Sequence, residues 1–200
     1  MLERLIRVKG KYLKGKTVTF DGSQLTPLWA CANADIVGDA IISFRGPLDV
    51  PPERMPDVEN RGRGKSLVAQ DMVHFVVEYF GCDLECSMLI RRLLVSVAAD
   101  ALRDETLEDV DIEREYDDIY AYMPDEEDRR RLSVSSATVS RVSGLVHLGM
   151  NTTVSGGPTG AAGLDEMGIE DMDAFAIEVL RRFIDEVKEL KASAGKTMPV

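Results

Sequence analysis

The feature that most constrains this chain is a change of hydrophobic period between residues 72 and 103. Residues 72–80, MVHFVVEYF, are dense in β-branched and aromatic side chains, which favours a strand. Residues 85–103 place their apolar side chains along one stripe and their arginines away from it, a pattern typical of an amphipathic helix. A strand followed by such a helix predicts a sheet whose face is covered by the helix.

Other segments of the chain also predict helices and strands. Residues 172–190 predict a second amphipathic helix, and the tail after residue 191 is expected to fray. Short linkers between consecutive strands imply antiparallel pairing. We therefore predict a single α+β domain over residues 1–200, a mainly antiparallel sheet with flanking helices. The remaining predicted strands are 16–20, 37–44, 119–123, 132–139 and 142–151.

Three segments are predicted to lack regular structure. Residues 47–64 contain four prolines and two glycines, which suits a long irregular loop of the kind that often carries function. Residues 156–163, GGPTGAAG, are too rich in glycine for the interior of an element. The acidic stretch 104–118 is expected to be a solvated surface, apart from its last two residues.

Charge and composition exclude some classes of function. A formal net charge of -11 argues against non-specific binding to nucleic acid or to an anionic membrane. The chain has no apolar run long enough for a membrane span and no signal-peptide pattern, so we expect a cytoplasmic protein. Its three cysteines, Cys31, Cys82 and Cys86, are expected to be thiols, because that compartment is reducing.

Asp117 and Asp118 open one predicted strand, and Arg131 opens the next. A hairpin would bring these limbs side by side, so acid and cation could face one cavity. There the acid would orient a substrate and the arginine would stabilise negative charge. The alternative is a surface ion pair worth at most about 1 kcal/mol, and spacing alone favours it.

Two further groups have both a binding and a structural interpretation. Residues 61–65, Arg-Gly-Arg-Gly-Lys, could bind phosphate through backbone amides and guanidinium groups, or form only a flexible basic turn. His74 and His147 lie inside apolar strands, where a histidine is more often a hydrogen-bonded wall residue than a general acid or base. The cysteine spacing does not predict a metal site, and no hydrolase or dinucleotide fingerprint is present.

Several distinctive sequence blocks follow one another over nearly the whole chain: FDGSQLTPLWA, VGDAIISFRG, DMVHF, DDIY, RLSVSSATVSRVS and HLGMN. In this order they resemble the family called domain of unknown function 366. The resemblance implies a fold similar to the catalytic domain of biotin and lipoate protein ligases and class II aminoacyl-tRNA synthetases. It also implies a homodimer by analogy.

The resemblance implies roles for particular residues. In biotin ligases a loop rich in glycine and arginine precedes a strand and closes on the adenylate, as RGRGKS does here. Arg131 occupies the position of a ligase lysine and is the expected catalytic residue, although arginine is not an equivalent cation. The expected substrate-binding or nucleotide-binding residues are Arg45, Gly46, Arg61, Gly62, Arg63, Gly64, His74, Asp118, Ser133, His147, Gly149 and Asn151.

Two main hypotheses for function follow. The first is an adenylate-forming ligase or acyltransferase that uses ATP, a small carboxylic acid or nucleotide and an acceptor protein, with magnesium as a candidate cofactor. The second is a non-catalytic binding or regulatory module that kept the cleft and lost the chemistry, which the arginine at position 131 would allow. A purely structural dimerisation protein is weaker, since it would not require the acid, arginine and glycine loop to converge.

Overall fold

The computed structural model describes residues 8–124, 126, 128–154 and 160–197. In chain order the elements are β1 (Lys9–Thr17), α1 (Trp29–Ala34), β2 (Ala40–Val50), α2 (Val58–Gly62), β3 (Leu67–Phe80), α3 (Leu84–Glu105), β4 (Asp111–Glu115), β5 (Asp118–Tyr122), β6 (Arg130–Arg131), β7 (Ser133–Val139), β8 (Ser143–Asn151) and α4 (Met172–Lys196).

Five strands form the main sheet in the order β1-β2-β3-β8-β7, and β4-β5-β6 form a smaller one. Strand β1 is parallel to β2, whereas the other neighbours in both sheets are antiparallel. Helices α3 and α4 pack on the main sheet. The predicted α+β fold, with a mainly antiparallel sheet and flanking helices, is confirmed.

The central strand β3 divides the core into two clusters, because successive side chains point to opposite faces of a sheet. Val73, Phe75 and Val77 belong to the cluster that includes buried residues of α3 and α4. Met72 and Val76 belong to a second cluster on the opposite face. The long helices therefore cover one face of the main sheet, and the other is left to loops and short helices.

Strand β2 is longer than the sequence predicts. It continues through Pro47 to Val50, so the segment 47–64 is not wholly irregular, and α2 lies within it. The pairing with β3 shifts register between Gly46 and Leu48. A proline cannot donate to a sheet ladder but is tolerated at such an irregularity, which explains how the strand passes Pro47.

Two other strands correct the sequence-based prediction. Strand β1 spans Lys9–Thr17, whereas residues 16–20 were expected to form the strand. Strand β4 lies inside the acidic segment predicted to be only solvated surface. In both strands most side chains are exposed, and the buried ones are Leu13 in β1 and Ile112 in β4. The lysines of β1 and the carboxylates of β4 therefore hide the apolar–polar alternation by which a strand is predicted from sequence.

The turn between β3 and α3 carries a disulfide between Cys82 and Cys86, whose Cα atoms are 5.4 Å apart. This corrects the expectation of three thiols, and Cys31 remains free. The Asp83 side chain caps α3 by accepting a hydrogen bond from the Cys86 amide at 2.8 Å. The cap therefore lies within the turn that the disulfide closes, at the start of α3.

Helix α4 continues to Lys196, although fraying was expected after residue 191. Ala192 and Ala194 favour the extension through their high helix propensity, although Gly195 disfavours it. Half of the predicted glycine-rich loop, residues 156–159, and the end of the tail, 198–200, lie outside the described residues. Among the described residues, no helix combines the length and apolarity that crossing a membrane requires.

Candidate functional site

A cleft of about 310 Å³ lies on the face of the main sheet that α3 and α4 do not cover. Leu48 and Val50 of β2 line it, together with Val134 of β7. The segment that connects β2 to β3 supplies further lining residues, including Met55, and Leu67 at the start of β3 lines the cleft as well. The cleft thus lies between the sheet and the proline-rich connection.

Phe20 lines the cleft and is almost fully buried, with 2% of its surface exposed. Its amide donates to the Pro47 carbonyl at 2.9 Å, and its carbonyl accepts from the Asp49 amide at 2.9 Å. These bonds attach a short extended segment to β2 beyond the end of β1. The Phe20 ring is thereby fixed against the sheet as an apolar surface.

Basic side chains line the same cleft. Arg54 is paired with Asp21. Within the part of the chain that the structure describes, the side chains of Arg63 and Lys65 make no hydrogen bond or ion pair. Asp57 also lines the cleft, but its carboxylate caps α2. The cleft therefore combines an apolar surface with two cations that have no anionic partner in the described chain.

Arg131 is anchored by both its backbone and its side chain. Its amide donates to the Gly160 carbonyl at 2.8 Å, and its Nε donates to the Ser133 carbonyl at 2.9 Å. Its guanidinium also binds the Asp118 carboxylate at 2.5 Å. The pairing of Tyr120 with Arg131 brings the two limbs together. Arg131 lines the cleft, and its side chain remains 48% exposed.

The segment predicted as a phosphate loop has a more ordered structure than a flexible turn. Arg61 and Gly62 close helix α2, and the Arg61 guanidinium donates to the Pro52 carbonyl at 3.3 Å. Arg63 follows and lines the cleft, and Gly64 turns the chain with a φ of 65°. Arg61 therefore braces the connection, whereas Arg63 faces the cavity.

His74 and His147 form a buried pair behind the cleft, and His147 also lines it. His74 Nδ1 lies 3.0 Å from His147 Nε2, and His74 Nε2 lies 3.0 Å from the Gly46 carbonyl oxygen. The Phe20 ring stacks on His147 with ring centroids 3.5 Å apart. Burial lowers the pKa of His74 to about 4 and holds the pKa of His147 well below its usual value.

Gly46 and Gly149 provide space around this histidine pair. A Cβ at position 46 would lie 2.2 Å from the carbonyl oxygen of Val18. A Cβ at position 149 would lie 3.1 Å from Met72 Cε and 3.2 Å from His74 Nδ1. Position 46 therefore has no room for a Cβ, whereas a Cβ at position 149 would require its neighbours to shift by a few tenths of an ångström.

The three other expected binding residues lie away from the cleft lining. Arg45 faces the side of the sheet that carries the helices, where it binds Asp71 at 2.6 Å. Ser133 is buried, and its hydroxyl accepts a hydrogen bond from a β5 amide at 2.9 Å. Asn151 donates to the Ala162 carbonyl at 3.1 Å and holds the end of β8. Asp118 is not part of the cleft lining either, but it binds Arg131, which lines the cleft.

Sequence reasoning missed most of the apolar surface of the cleft. An apolar residue in a strand gives the same signal whether it lines a cavity or fills the core. The position of Phe20 in the FDGSQLTPLWA block could have marked it as a site residue. Arg54 and Met55 could have been found from their position in the proline-rich connection. The missed lining residues include Phe20, Leu48, Val50, Arg54, Met55, Val134 and Ser136.

The described residues contain no group of three or more histidine, cysteine, aspartate or glutamate side chains placed to hold a metal ion.

The sequence model of one family, Domain of unknown function (DUF366), matches residues 10–198. The chain belongs to this family. It is 32% identical over 187 residues to the uncharacterized protein MJ0805 of Methanocaldococcus jannaschii, covering 90% of this chain and 80% of the relative. A solved protein of unknown function from Pyrococcus horikoshi is 31% identical, with a TM-score of 0.85, and the match covers 96% of this chain and 99% of that one.

Solved ligases share the fold at lower identity. The biotin protein ligase of Aquifex aeolicus, in complex with biotin and ATP, has a TM-score of 0.57 at 14% identity, covering 92% of this chain and 72% of the ligase. A bipartite lipoate protein ligase from Thermoplasma acidophilum has a TM-score of 0.56 at 11% identity, covering 91% and 83%. The predicted biotin and lipoate ligase-like fold is confirmed.

Proposed function

We propose that the cleft binds a small carboxylic acid with an apolar body, together with a nucleotide, and joins them as an acyl-adenylate. The observation that carries this proposal is the composition of one cavity. An apolar surface that includes Phe20 and Leu48 adjoins the cations of Arg63 and Lys65, which have no anionic partner among the described residues. Such a cavity suits a ligand with a hydrocarbon part and an anionic part.

The apolar surface supports binding of the body of the acid. Burial of each methylene contributes about 0.8 kcal/mol, so about seven methylenes would supply roughly 5–6 kcal/mol before the entropic cost of binding. Val134 and Val50 lie on neighbouring parts of the lining and extend the surface beyond Phe20. A chain or small ring system of this size is the class of acid that we propose.

The cations support binding of phosphate and carboxylate. Arg63 and Lys65 would hold nucleotide phosphates, because guanidinium and ammonium groups both bind phosphate oxygens well. A carboxylate oxygen would then attack the α-phosphorus, forming one P–O bond as the bond to pyrophosphate breaks and pyrophosphate leaves. Arg131 would stabilise the negative charge during this step, and Asp118 would position Arg131.

The ligand classes in related folds support this assignment. The Aquifex protein is described with biotin and ATP, and a Helicobacter pylori synthetase with biotinylated ATP. The Thermoplasma protein is described with its E2 lipoyl domain, so we extend the proposal to an acceptor protein whose lysine amine would displace AMP from the adenylate. Magnesium would enter with the nucleotide phosphates, and chelation with EDTA would weaken nucleotide binding.

A non-catalytic binding module is the second candidate, and one observation favours it. Arg131 already pairs with Asp118 and binds the Ser133 carbonyl, which limits its freedom to follow a reacting group. The two candidates differ in pyrophosphate release. A module would bind acid and nucleotide without releasing pyrophosphate, and Arg131→Lys would raise release only if the cleft still supports adenylate formation.

Calorimetric titration tests the binding claim. The full chain would be titrated with ATP, ADP and AMP, each with and without biotin, lipoate or octanoate. We expect micromolar binding that Arg63→Ala or Arg131→Ala weakens at least tenfold. Arg141→Ala is the matched control, because Arg141 is exposed in the turn that joins β7 to β8 and does not line the cleft. No binding by any of these ligands would refute the proposed function.

A further inference from the structure

Three polar groups form a directed chain behind the cleft: the Gly46 carbonyl, the His74 imidazole and the His147 imidazole. His74 has no exposed surface and His147 has 2% exposed. Such buried polar groups normally have their hydrogen-bonding capacity satisfied, because an unsatisfied one costs free energy. The direction of each hydrogen bond in the chain can therefore be worked out.

The Gly46 carbonyl determines which ring nitrogen of His74 carries the hydrogen. A carbonyl oxygen can only accept, so His74 Nε2 carries a hydrogen and donates it over 3.0 Å. Both imidazoles are neutral near pH 7, because burial lowers the pKa of each ring. A neutral ring has one N–H, so His74 Nδ1 is an acceptor. His147 Nε2 must then donate to it over 3.0 Å.

The last atom of the chain is His147 Nδ1. Since His147 already carries its one hydrogen on Nε2, Nδ1 has a free lone pair. Among the described residues, no donor binds this nitrogen, and His147 lines the cleft. An imidazole acceptor at a largely apolar site favours a donor from a ligand.

The surroundings hold His147 in this orientation. Phe20 stacks on the ring with an interplanar angle of 9°. Position 149 lacks a Cβ, which would lie 3.2 Å from His147 Cε1. A flip of the ring would replace Nε2 by carbon and break the hydrogen bond to His74. The acceptor is therefore preorganised before any ligand binds.

We propose that His147 Nδ1 selects a ligand that carries an N–H or O–H donor next to its apolar body. This inference rests on the proposed function and narrows its substrate class. The preferred acid would carry a hydroxyl, amide or cyclic urea group, and an unsubstituted alkyl acid would bind more weakly. A nucleobase amine is a second source of the same donor chemistry.

Matched ligand pairs test this specificity on the unmodified protein. Octanoate would be compared with 8-hydroxyoctanoate and with 8-aminocarbonyl-octanoate, each with ATP present. We expect at least tenfold tighter binding of a donor-bearing acid, since a site built around a hydrogen bond discriminates against ligands that lack the partner. Comparison of ATP with purine riboside triphosphate, which lacks the amine, would reveal discrimination by the nucleobase instead. Equal binding within every pair would overturn the inference.

A double variant separates specificity from stability. His74→Phe combined with His147→Phe removes both partners of the hydrogen bond, a change that is less disruptive than removal of one. The ring stack against Phe20 can persist in this variant. We expect the preference for donor-bearing acids over octanoate to fall to less than twofold, whatever the change in the affinity for octanoate itself. A retained preference would overturn the role of His147.

Long-range ¹⁵N–¹H correlation spectra test the acceptor without any ligand. We expect His147 to show a protonated Nε2 and an unprotonated Nδ1 at pH 7. A protonated Nδ1 would overturn the acceptor assignment and leave the proposed function intact. Absence of binding by every acid and nucleotide would instead refute the proposed function, and the ligand preference would fail with it.

Discussion

At the residue scale, the histidine pair makes folding stability depend on pH. The pKa of His74 is about 4 in the folded protein, against 6.5 for an ordinary histidine, and the pKa of His147 is lowered in the same direction. Between pH 4 and 6.5 the unfolded chain binds more protons than the folded protein does. The buried neutral histidines therefore contribute their full share of the unfolding free energy above pH 6.5, and that share is lost as the pH falls.

We expect this loss to be on the order of 1.5 kcal/mol for His74 between pH 6.5 and 5, and a loss in the same direction for His147. Urea unfolding at several pH values within this range measures it. The variant with both His74→Phe and His147→Phe is the control, and its stability should vary less over the same range. An equal slope in both proteins would show that other groups cause the pH dependence.

Gly46 allows a second prediction at this scale. Gly46→Ala would place a Cβ 2.2 Å from a backbone oxygen, so we expect a loss of about 3 kcal/mol of unfolding free energy. Gly62→Ala is the matched control, because Gly62 has free space around it at the end of α2 and no positive φ. That change should be neutral or stabilising by about 0.5 kcal/mol. Similar denaturation midpoints for both variants would contradict this explanation of Gly46.

The sequence could predict some of these residues and not others. The closeness of Asp118 and Arg131 followed from two strands that are near in sequence. The contact between His74 and His147 joins strands 73 residues apart, and the sequence alone does not show that β3 and β8 are neighbours. Phe20 was missed because one isolated bridge holds it to Leu48, which leaves no periodic signal.

At the element scale, strongly amphipathic segments were predictable and edge segments were not. Helix α3 was expected at 85–103 and spans Leu84–Glu105, because many buried residues repeat its period. Strand β4 has few buried positions, and its outward carboxylates Glu113 and Glu115 pair with Arg129 across the small sheet. Ion pairs that reach across the small sheet to the segment before β6 therefore stabilise a strand whose composition suggests only solvated surface.

The start of α3 gives an element-scale prediction. The disulfide between Cys82 and Cys86 leaves Cys31 as the free thiol among the three cysteines. Thiol titration of the denatured protein should therefore detect about one thiol without reductant and about three after reduction. Cys31→Ala is the control and should lower both counts by one. Three thiols in protein purified without reductant would contradict the pairing and restore the sequence-based expectation.

At the scale of the whole molecule, both sheets share one core. Ile112 and Ile119 of the small sheet belong to the same buried cluster as Leu94 of α3 and Val146 of the main sheet. This sharing supports the prediction that residues 1–200 unfold as one domain. The homodimer and the absence of non-specific binding to nucleic acid also stay predictions.

Two optical probes test the single domain. Trp29, the one tryptophan of the chain, lies near Phe44 on the cleft side of the sheet, with ring centroids 5.8 Å apart. Far-ultraviolet circular dichroism mainly reports α3 and α4 on the opposite side. We expect tryptophan fluorescence and circular dichroism to give the same urea midpoint. Midpoints that differ clearly would indicate two units that unfold separately.

The central claim is that the cleft beside Phe20 and Arg131 binds an acyl-adenylate. Hydrogen exchange measured by mass spectrometry, with and without biotinyl and octanoyl sulfamoyl-adenosine, tests both binding and its location. We predict slower exchange in peptides from 51–67 and 130–136, which contain cleft-lining residues, and unchanged exchange in α4. Protection confined to other segments, or no protection by either compound, would contradict the claim.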